Sequence, residues 1–230
     1  MNLLSNLLSP FDLVAVACFA AAWAAYALVI EKTSHGSGGL NARMDQFREV
    51  WVRRMLDREM RMTDMQVMAA LQNGTAFFAS TTLLSIGGAL TLLRAPDELL
   101  SIVALLPFNT PSPRGLWEVK IIGLVVIFVY AFFKFAWSYR LFNYVSILFG
   151  AMPPASEKNR PETEIHVQRT AKLFGTAGRH FNRGQRSFFF ALGYLGWFVG
   201  PAVLIVTTLA VVIVMWRRQF ASDSRRAMDG

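Results

Sequence analysis

Residues 13–30 read LVAVACFAAAWAAYALVI, a run of 18 residues without a charged side chain between Asp12 and Glu31. As an α-helix this run would be about 27 Å long, close to the roughly 30 Å thickness of the bilayer hydrocarbon, and its length lies within the range of about 17–25 residues that a membrane span needs. Apolar runs of this length are typical of transmembrane helices. The run therefore predicts a first membrane span at about residues 10–30.

Three further segments are long and apolar enough to cross a bilayer. Two carry no charge, over 29 residues at 65–93 and over 30 residues at 187–216, and the third, 121–139, carries only Lys134. In the last segment we expect Gly200-Pro201 to kink the helix without ending it, because lipid-embedded helices tolerate proline. The four predicted spans are about 10–30, 66–93, 117–139 and 188–216.

The composition of the whole chain agrees with this interpretation. Hydrophobic residues make up 54% of the 230 residues and charged residues 17%, which argues against an ordinary soluble domain and against a disordered chain. The single cysteine, Cys18, excludes an internal disulfide. A net charge of +8 in so apolar a chain is more typical of membrane-protein loops than of a nucleic-acid site. We therefore predict an all-α integral membrane protein, with 1–230 forming a single membrane domain of four transmembrane helices.

The distribution of lysine and arginine predicts the orientation. The segments 31–65 and 150–187 each hold seven of these residues, whereas the connection 94–116 holds two. Because positive residues are retained in the cytoplasm, we expect both rich segments on that side of the cell (inner) membrane, the loop 94–116 outside and, with four spans, both termini outside. The C-terminal tail goes against this rule, since it carries four arginines. The apolar stretch 99–108 is too short to cross and is interpreted as an interfacial or re-entrant piece.

Both predicted cytoplasmic segments contain apolar residues at helical spacing. The stripe of the first segment includes Trp51 and that of the second includes Phe174, so we predict two amphipathic cytoplasmic helices. Gly184 is expected to end the second of them before the last span. The two stripes are interpreted as packing against each other, and the alternative is that Trp51 and Phe174 dock a partner protein.

The familiar motifs of catalysis and metal binding are missing from the sequence. There is no CxxC, HExxH, Walker or Rossmann glycine pattern, and the three histidines all lie outside the predicted spans. Paired haem ligands on facing membrane helices are therefore unavailable. We expect no enzymatic activity, no cofactor and no metal site.

Polar residues near the cytoplasmic ends of the third and fourth spans form the candidate binding site. A charge in the inner half of the membrane, such as Lys134, is costly unless it pairs, reaches water or snorkels, and it is therefore a functional candidate. Snorkelling to the headgroups is the competing interpretation of Lys134, and helix anchoring is that of the arginines. The predicted anion-binding cluster comprises Lys134, Arg140, Asn143, Asn182 and Arg186.

Three strings carry a resemblance to a known family. They are FFAST at 77–81, YAFFKFAWSYRLFNY at 130–144 and FNRGQR at 181–186. With them the chain resembles a bacterial and plant family of multi-pass membrane proteins described only as a domain of unknown function. The resemblance implies residence in a membrane and implies no activity, ligand or catalytic residue.

The sequence leaves three classes of function open. The first is a binding or transport role for an anionic lipid or small solute at the cytoplasmic boundary. The second is an accessory or scaffold protein that docks a partner through its cytoplasmic helices, and the third is a membrane-surface enzyme. The expected partners are the lipid bilayer, an anionic lipid, and a second copy of the chain or another membrane protein, but no nucleic acid.

Overall fold

The computed structural model describes residues 8–32, 38–94 and 113–227, and over these ranges it is all-helical. Four segments are long and apolar enough to span a membrane, namely α1, α3, α4 and the stretch Pro201–Arg226 that contains α7 and α8. The predicted helical class and the number of candidate spans are thereby confirmed. The helices are α1 (Pro10–Lys32), α2 (Leu40–Arg54), α3 (Met62–Arg94), α4 (Arg114–Gly150), α5 (Pro161–Tyr194), α6 (Gly196–Val199), α7 (Pro201–Phe220) and α8 (Asp223–Arg226).

Short 3-10 helices at Met55–Asp57 and Ala155–Glu157 connect the longer elements. The stretch 99–108, predicted as interfacial or re-entrant, and most of the connection 94–116 lie outside the described residues.

Helix α4 is the centre of the bundle. It runs antiparallel to α5, because Ser138 Oγ donates a hydrogen bond to the carbonyl oxygen of Ala177 (2.8 Å) and the ring of Phe135 lies against Gly184. Helix α3 packs on another face of α4, where Gln72 Nε2 donates to Asn143 Oδ1 (2.7 Å). With 37 residues α4 is about 55 Å long, so it extends well beyond the hydrocarbon of a bilayer.

Gly184 does not end a helix, contrary to the sequence prediction. Helix α5 continues through it to Tyr194. A Cβ atom at this position would lie 2.7 Å from the ring of Phe135, so the absence of a side chain lets α5 approach α4 closely. The residue serves helix packing, which local sequence signals cannot distinguish from a helix end.

The predicted fourth span, 188–216, is not one kinked helix but falls on the end of α5, on α6 and on α7. Helix α6 ends at Val199, and Gly200 has extended backbone (φ 166°, ψ 163°). A residue before proline disfavours the helical region, and Pro201 supplies the fixed φ of a first helical position, so a new helix begins there. Helix α7 turns back along α5, and Thr207 Oγ1 donates to the carbonyl oxygen of Gly193 (2.7 Å).

The hairpin of α5 and α7 returns the C-terminal arginines to the end of the bundle that holds both basic segments. There Arg225 Nε donates to the carbonyl oxygen of Gly38 (2.8 Å), and the guanidinium of Arg218 lies over the ring of Phe189. We call this the basic end, formed by residues 38–61, 151–186 and 217–227. In the predicted arrangement the tail lies on the side opposite to both basic segments, because the chain was expected to cross once after residue 187. In the structure the hairpin of α5 and α7 instead brings the tail to the same end as both basic segments.

The basic end has its own hydrophobic core. Trp51 contacts Phe174 and Phe149 edge-to-face, with ring centroids 5.3 and 5.8 Å apart. Phe174 is only 1% exposed. These two apolar stripes therefore pack against each other, and the candidate docking residues Trp51 and Phe174 hold α2 to α5 instead of presenting a surface to a partner.

Hydrogen bonds of charged side chains hold the connections at the basic end in place. The two terminal nitrogens of Arg61 donate to the carbonyl oxygens of Met152 and Pro153, at 2.6 Å each, just beyond the end of α4. Asp64 is 2% exposed and accepts hydrogen bonds from Trp51 Nε1 (2.6 Å) and from Arg58. These contacts fix the loop before α3 against the end of α4.

Candidate functional site

The five residues of the predicted cluster do not converge. Arg140 is exposed, donates from Nε to the hydroxyl of Tyr144 (2.7 Å) and stacks on its ring. Asn143 faces α3, where its oxygen accepts from Gln72. Arg140 and Asn143 are therefore engaged on separate faces of α4 and contribute to no common site with Asn182 and Arg186.

Lys134 lies beside an aromatic ring and a histidine. Its ammonium is 5.0 Å from the ring centroid of Tyr130, an arrangement typical of a cation–π interaction. The neighbouring helix presents His180, whose ring is 6.5 Å from that of Trp137. Burial lowers the pKa of His180 below its ordinary value, and the positive charge of Lys134 lowers it further. Lys134 thus acts electrostatically on α5 without reaching the cavity.

Asn182 and Arg186 do lie together, on the wall of a cavity of about 600 Å³. The cavity lies at the basic end, between the C-terminal turn of α1, the start of α2, the middle of α5 and the last turns of α7. We call it the basic cavity.

An ion cluster around Glu31 forms the charged wall of the basic cavity. Arg183 binds the carboxylate with two nitrogens, Nε to Oε1 at 3.0 Å and Nη2 to Oε2 at 2.6 Å. Arg186 adds a third bond from Nη2 to Oε1 at 2.5 Å. Charge-assisted bidentate bonds of this kind are among the stronger hydrogen bonds in proteins. They join the end of α1 to α5 across about 150 positions of sequence.

The lining of the cavity contains more basic than acidic side chains. Asp45 is the second acidic residue of the wall, and it pairs with Arg179 (3.1 Å) and with Arg48. Arg218 stacks on Phe189, 5.2 Å from its ring centroid. Within the part of the chain that the structure describes, neither Lys32 nor Arg218 forms an ion pair. Five basic side chains line the cavity, namely Lys32, Arg179, Arg183, Arg186 and Arg218.

The other wall of the basic cavity is apolar. It is formed by Tyr26 and Ile30 of α1, Phe189 of α5 and Met215 of α7. Along their helices, these residues lie nearer the middle of the bundle than the charged residues do. A ligand in the cavity would therefore meet cations at one end and hydrocarbon at the other.

Three residues of the cavity were not predicted from the sequence as site residues, namely Glu31, Arg183 and Arg218. Glu31 counted only as the charge that ends the first span, and Arg218 belonged to a tail assigned to the other side. A signal was available for Arg183, because Arg183 and Arg186 are three positions apart and so share one face of a helix. A lone carboxylate at the same boundary is their natural counterion, but only the fold brings it there.

Other groups of chemical interest lie outside the cavity. At the opposite end of the bundle Asp12 accepts a hydrogen bond from Trp197 Nε1 (2.7 Å), and the ammonium of Lys120 lies over the rings of Trp117 and Trp197. Within residues 8–32, 38–94 and 113–227 no group of three or more histidine, cysteine or acidic side chains is arranged to hold a metal ion.

Comparison with known proteins identifies a family but no characterised relative. No curated protein and no solved structure matches the chain significantly. Residues 14–224 match the family described as "Protein of unknown function, DUF599". The matched range includes nearly all of α1 and extends into α8, so it covers every wall of the basic cavity. The chain belongs to the DUF599 family.

Proposed function

We propose that this protein binds the phosphate-bearing headgroup of an anionic lipid in the basic cavity and has a lipid-binding or lipid-handling role without a catalytic step. One observation carries the proposal, namely a cavity of about 600 Å³ lined by five basic side chains and by apolar side chains that lie nearer the middle of the bundle. An anionic lipid has the same division, since its headgroup is charged and its acyl chains are apolar.

The arginines supply suitable chemistry for a phosphate. A guanidinium offers a planar fork of donors that matches two oxygens of a phosphate or carboxylate. Lys32 and Arg218 add positive charges that have no acidic partner among the described residues. The apolar residues Tyr26 and Phe189 provide surface for the first part of an acyl chain.

We further propose that the basic end faces the cytoplasm of an inner membrane. Segments 31–65 and 150–187 carry seven lysines and arginines each, the tail adds four arginines, and the connection 94–116 has two. The positive-inside rule then favours an N-terminus outside and a C-terminus inside, with α5 to α7 forming a hairpin that enters the membrane from the cytoplasm and returns to it. The basic cavity would open toward the inner leaflet, where anionic lipids attract clustered basic residues.

Reporter fusions test this orientation. Alkaline phosphatase inserted between Arg94 and Arg114 is expected to be active, because that connection would face the periplasm. Green fluorescent protein fused after residue 230 is expected to fluoresce, and alkaline phosphatase at the same place to be inactive. An active phosphatase at the C-terminus would contradict the proposed hairpin.

Lipid retention tests the binding function. The full-length chain is purified from membranes, reconstituted with equal amounts of phosphatidylcholine and an anionic phospholipid, and analysed by native mass spectrometry for lipid that stays bound. We expect selective retention of the anionic lipid. The double variant Arg186→Gln/Arg218→Gln should reduce its affinity about tenfold or more, since each charged hydrogen bond contributes roughly 1.5–3 kcal/mol.

The control is Arg53→Gln, which removes an exposed arginine of α2 outside the cavity. Equal retention of both lipids by the unchanged chain would contradict the proposal. So would competition by inorganic phosphate at the same concentration as the lipid, because it would mean that a free anion, rather than a lipid, is the ligand.

A scaffold role has less support. The side chains proposed for docking, Trp51 and Phe174, contact each other in the core of the basic end. A partner could reach Phe174 only by unfolding this core.

A further inference from the structure

We infer that Glu31 is an internal anion that occupies the arginine pair of the basic cavity, that a ligand must displace it, and that the site so vacated selects dianionic phosphomonoester headgroups over monoanionic phosphodiesters. This inference rests on the proposed lipid-binding function and specifies its ligand class and its regulation.

The geometry of Glu31 is that of a bound ligand anion. Its two carboxylate oxygens accept three hydrogen bonds from Arg183 and Arg186, at 2.5 to 3.0 Å. Two terminal oxygens of a phosphate have a similar spacing and accept the same fork of donors. The carboxylate and an entering phosphate would therefore compete for the same nitrogens.

Displacement of Glu31 is sterically feasible. Its side chain is 29% exposed and projects from the last turn of α1, so the carboxylate can rotate into water. The side chain of Arg186 is 9% exposed and stays in place between the helices. Arg183, at 32%, is about as exposed as Glu31, so Arg186 is the buried member of the cluster and Glu31 can move away from it.

A donor of Arg186 is left unused when Glu31 is bound. Its Nε atom is buried and has no hydrogen-bond partner among the described residues. Leaving a buried donor without a hydrogen-bond partner is unfavourable. A phosphomonoester has three terminal oxygens, one more than a carboxylate or a phosphodiester, and the additional oxygen can accept from this nitrogen.

The charge balance favours a dianion. Replacing the single negative charge of Glu31 by the single charge of a phosphodiester gains little Coulomb energy. A phosphomonoester carries about −1.5 to −2 charges at neutral pH, because its second pKa is about 6. Lys32 and Arg218, which have no acidic partner in the described part of the chain, can offset the second charge.

Short-chain phosphatidic acid and phosphatidylglycerol are the probes. The full-length protein in a zwitterionic detergent is titrated with each lipid, and the dissociation constants are measured by microscale thermophoresis at pH 7.5 and pH 5. We expect phosphatidic acid to bind about tenfold more tightly at pH 7.5, equivalent to about 1.4 kcal/mol. At pH 5 the preference should shrink, since the phosphomonoester is then largely monoanionic.

Three variants test the role of Glu31. Glu31→Gln is expected to tighten the binding of both lipids about tenfold, because neither then has to displace an anion, and to leave the preference for phosphatidic acid in place. Glu31→Asp retains the charge and should bind both lipids as the unchanged chain does. Glu164→Gln is the matched control, because Glu164 also binds an arginine bidentately, Arg53 at 2.8 and 2.9 Å, but lies outside the cavity.

The outcomes separate this inference from the proposed function. If neither lipid binds the unchanged chain, the proposed function fails. If both bind equally at both pH values, lipid binding stands and the selection of dianions is refuted. If Glu31→Gln binds neither lipid more tightly than the unchanged chain does, the displacement of Glu31 is refuted. Should Glu31→Gln not fold, the pH dependence of the unchanged protein still tests the selection of dianions, because it needs no variant.

Discussion

Trp197 donates a hydrogen bond from Nε1 to Oδ1 of Asp12 at 2.7 Å, inside the bundle and across 185 positions of sequence. The bond joins the turn of the α5–α7 hairpin to the first turn of α1. Asp12 is 6% exposed, and its other oxygen accepts from Ser9. The contact fixes the opposite end of the bundle while the Glu31 cluster fixes the basic end.

Trp197→Phe is expected to destabilise the protein by about 1.5–3 kcal/mol, because it leaves a buried carboxylate oxygen without its donor. Thermal unfolding in detergent, followed by circular dichroism, measures the effect. Trp216→Phe is the control, since Trp216 is 41% exposed and contacts only the nearby Phe220 among described aromatic rings. Equal melting temperatures for the two variants would contradict a structural role for the Asp12–Trp197 bond.

Phe174→Ala should cost about 3–5 kcal/mol, the usual range for deleting a fully buried aromatic ring. Phe174 contacts Trp51, Phe142 and Phe149 in the core of the basic end. Phe77→Ala is the comparison, because Phe77 is 66% exposed. If Phe174→Ala unfolds at the same temperature as Phe77→Ala but loses a co-purifying protein, the docking role would regain support.

Gly184→Ala is expected to destabilise by about 1–3 kcal/mol, since an added methyl group would overlap the ring of Phe135 and push α4 and α5 apart. Gly88→Ala adds the same group to α3, where nothing lies within 4 Å. That change should be neutral or stabilising, by at most about 1 kcal/mol from helix propensity. Protease resistance in detergent ranks the two variants, and equal resistance would argue against close packing at Gly184.

The pKa of His180 should rise toward its ordinary value of 6.5 in Lys134→Met, because a neighbouring positive charge is removed. It should stay below 6.5, since burial is the largest cause of the shift. NMR of ¹³C-labelled histidine measures the titration, with His180→Asn to assign the signal. Lys172→Met, on an exposed part of α5, is the control, and an identical rise in both variants would contradict the effect of Lys134.

The sign of the pH effect on stability follows from the same shift. A histidine whose pKa is lowered in the folded state is protonated more readily when unfolded. The contribution of His180 to stability is therefore fully present above pH 6.5 and is lost as the pH falls through the lower, folded pKa. In Lys134→Met this loss should be smaller.

Local signals in the sequence predicted much of the fold. The runs that begin at Leu13, Met65 and Ile121 lie within α1, α3 and α4, because a long charge-free stretch has few alternatives to a membrane helix. The pairing of the Trp51 and Phe174 stripes followed from helical spacing. The predicted end at Gly184 was wrong, since the sequence alone does not distinguish a glycine that lets two helices pack closely from a glycine that follows the end of a helix.

The candidate site was less predictable. Asn182 and Arg186 belong to one helix face, so their proximity could be inferred. Arg140 and Asn143 were grouped with them because they lie at a similar depth in the membrane. The depth of a residue along its helix, however, does not show which neighbouring helix its side chain faces. Glu31 and Arg218 come from distant elements, and only the packing of α1 and α7 on α5 brings them together.

The sequence by itself determined that this chain is helical and has four segments long and apolar enough to span a membrane, because charge-free length is a local property that each segment carries alone. The tertiary structure decided that the last helix turns back at Gly200, that the C-terminal arginines join the basic end, and that Glu31 meets Arg183 and Arg186. These are relations between segments, and they depend on which helix faces pack together, which no single segment encodes.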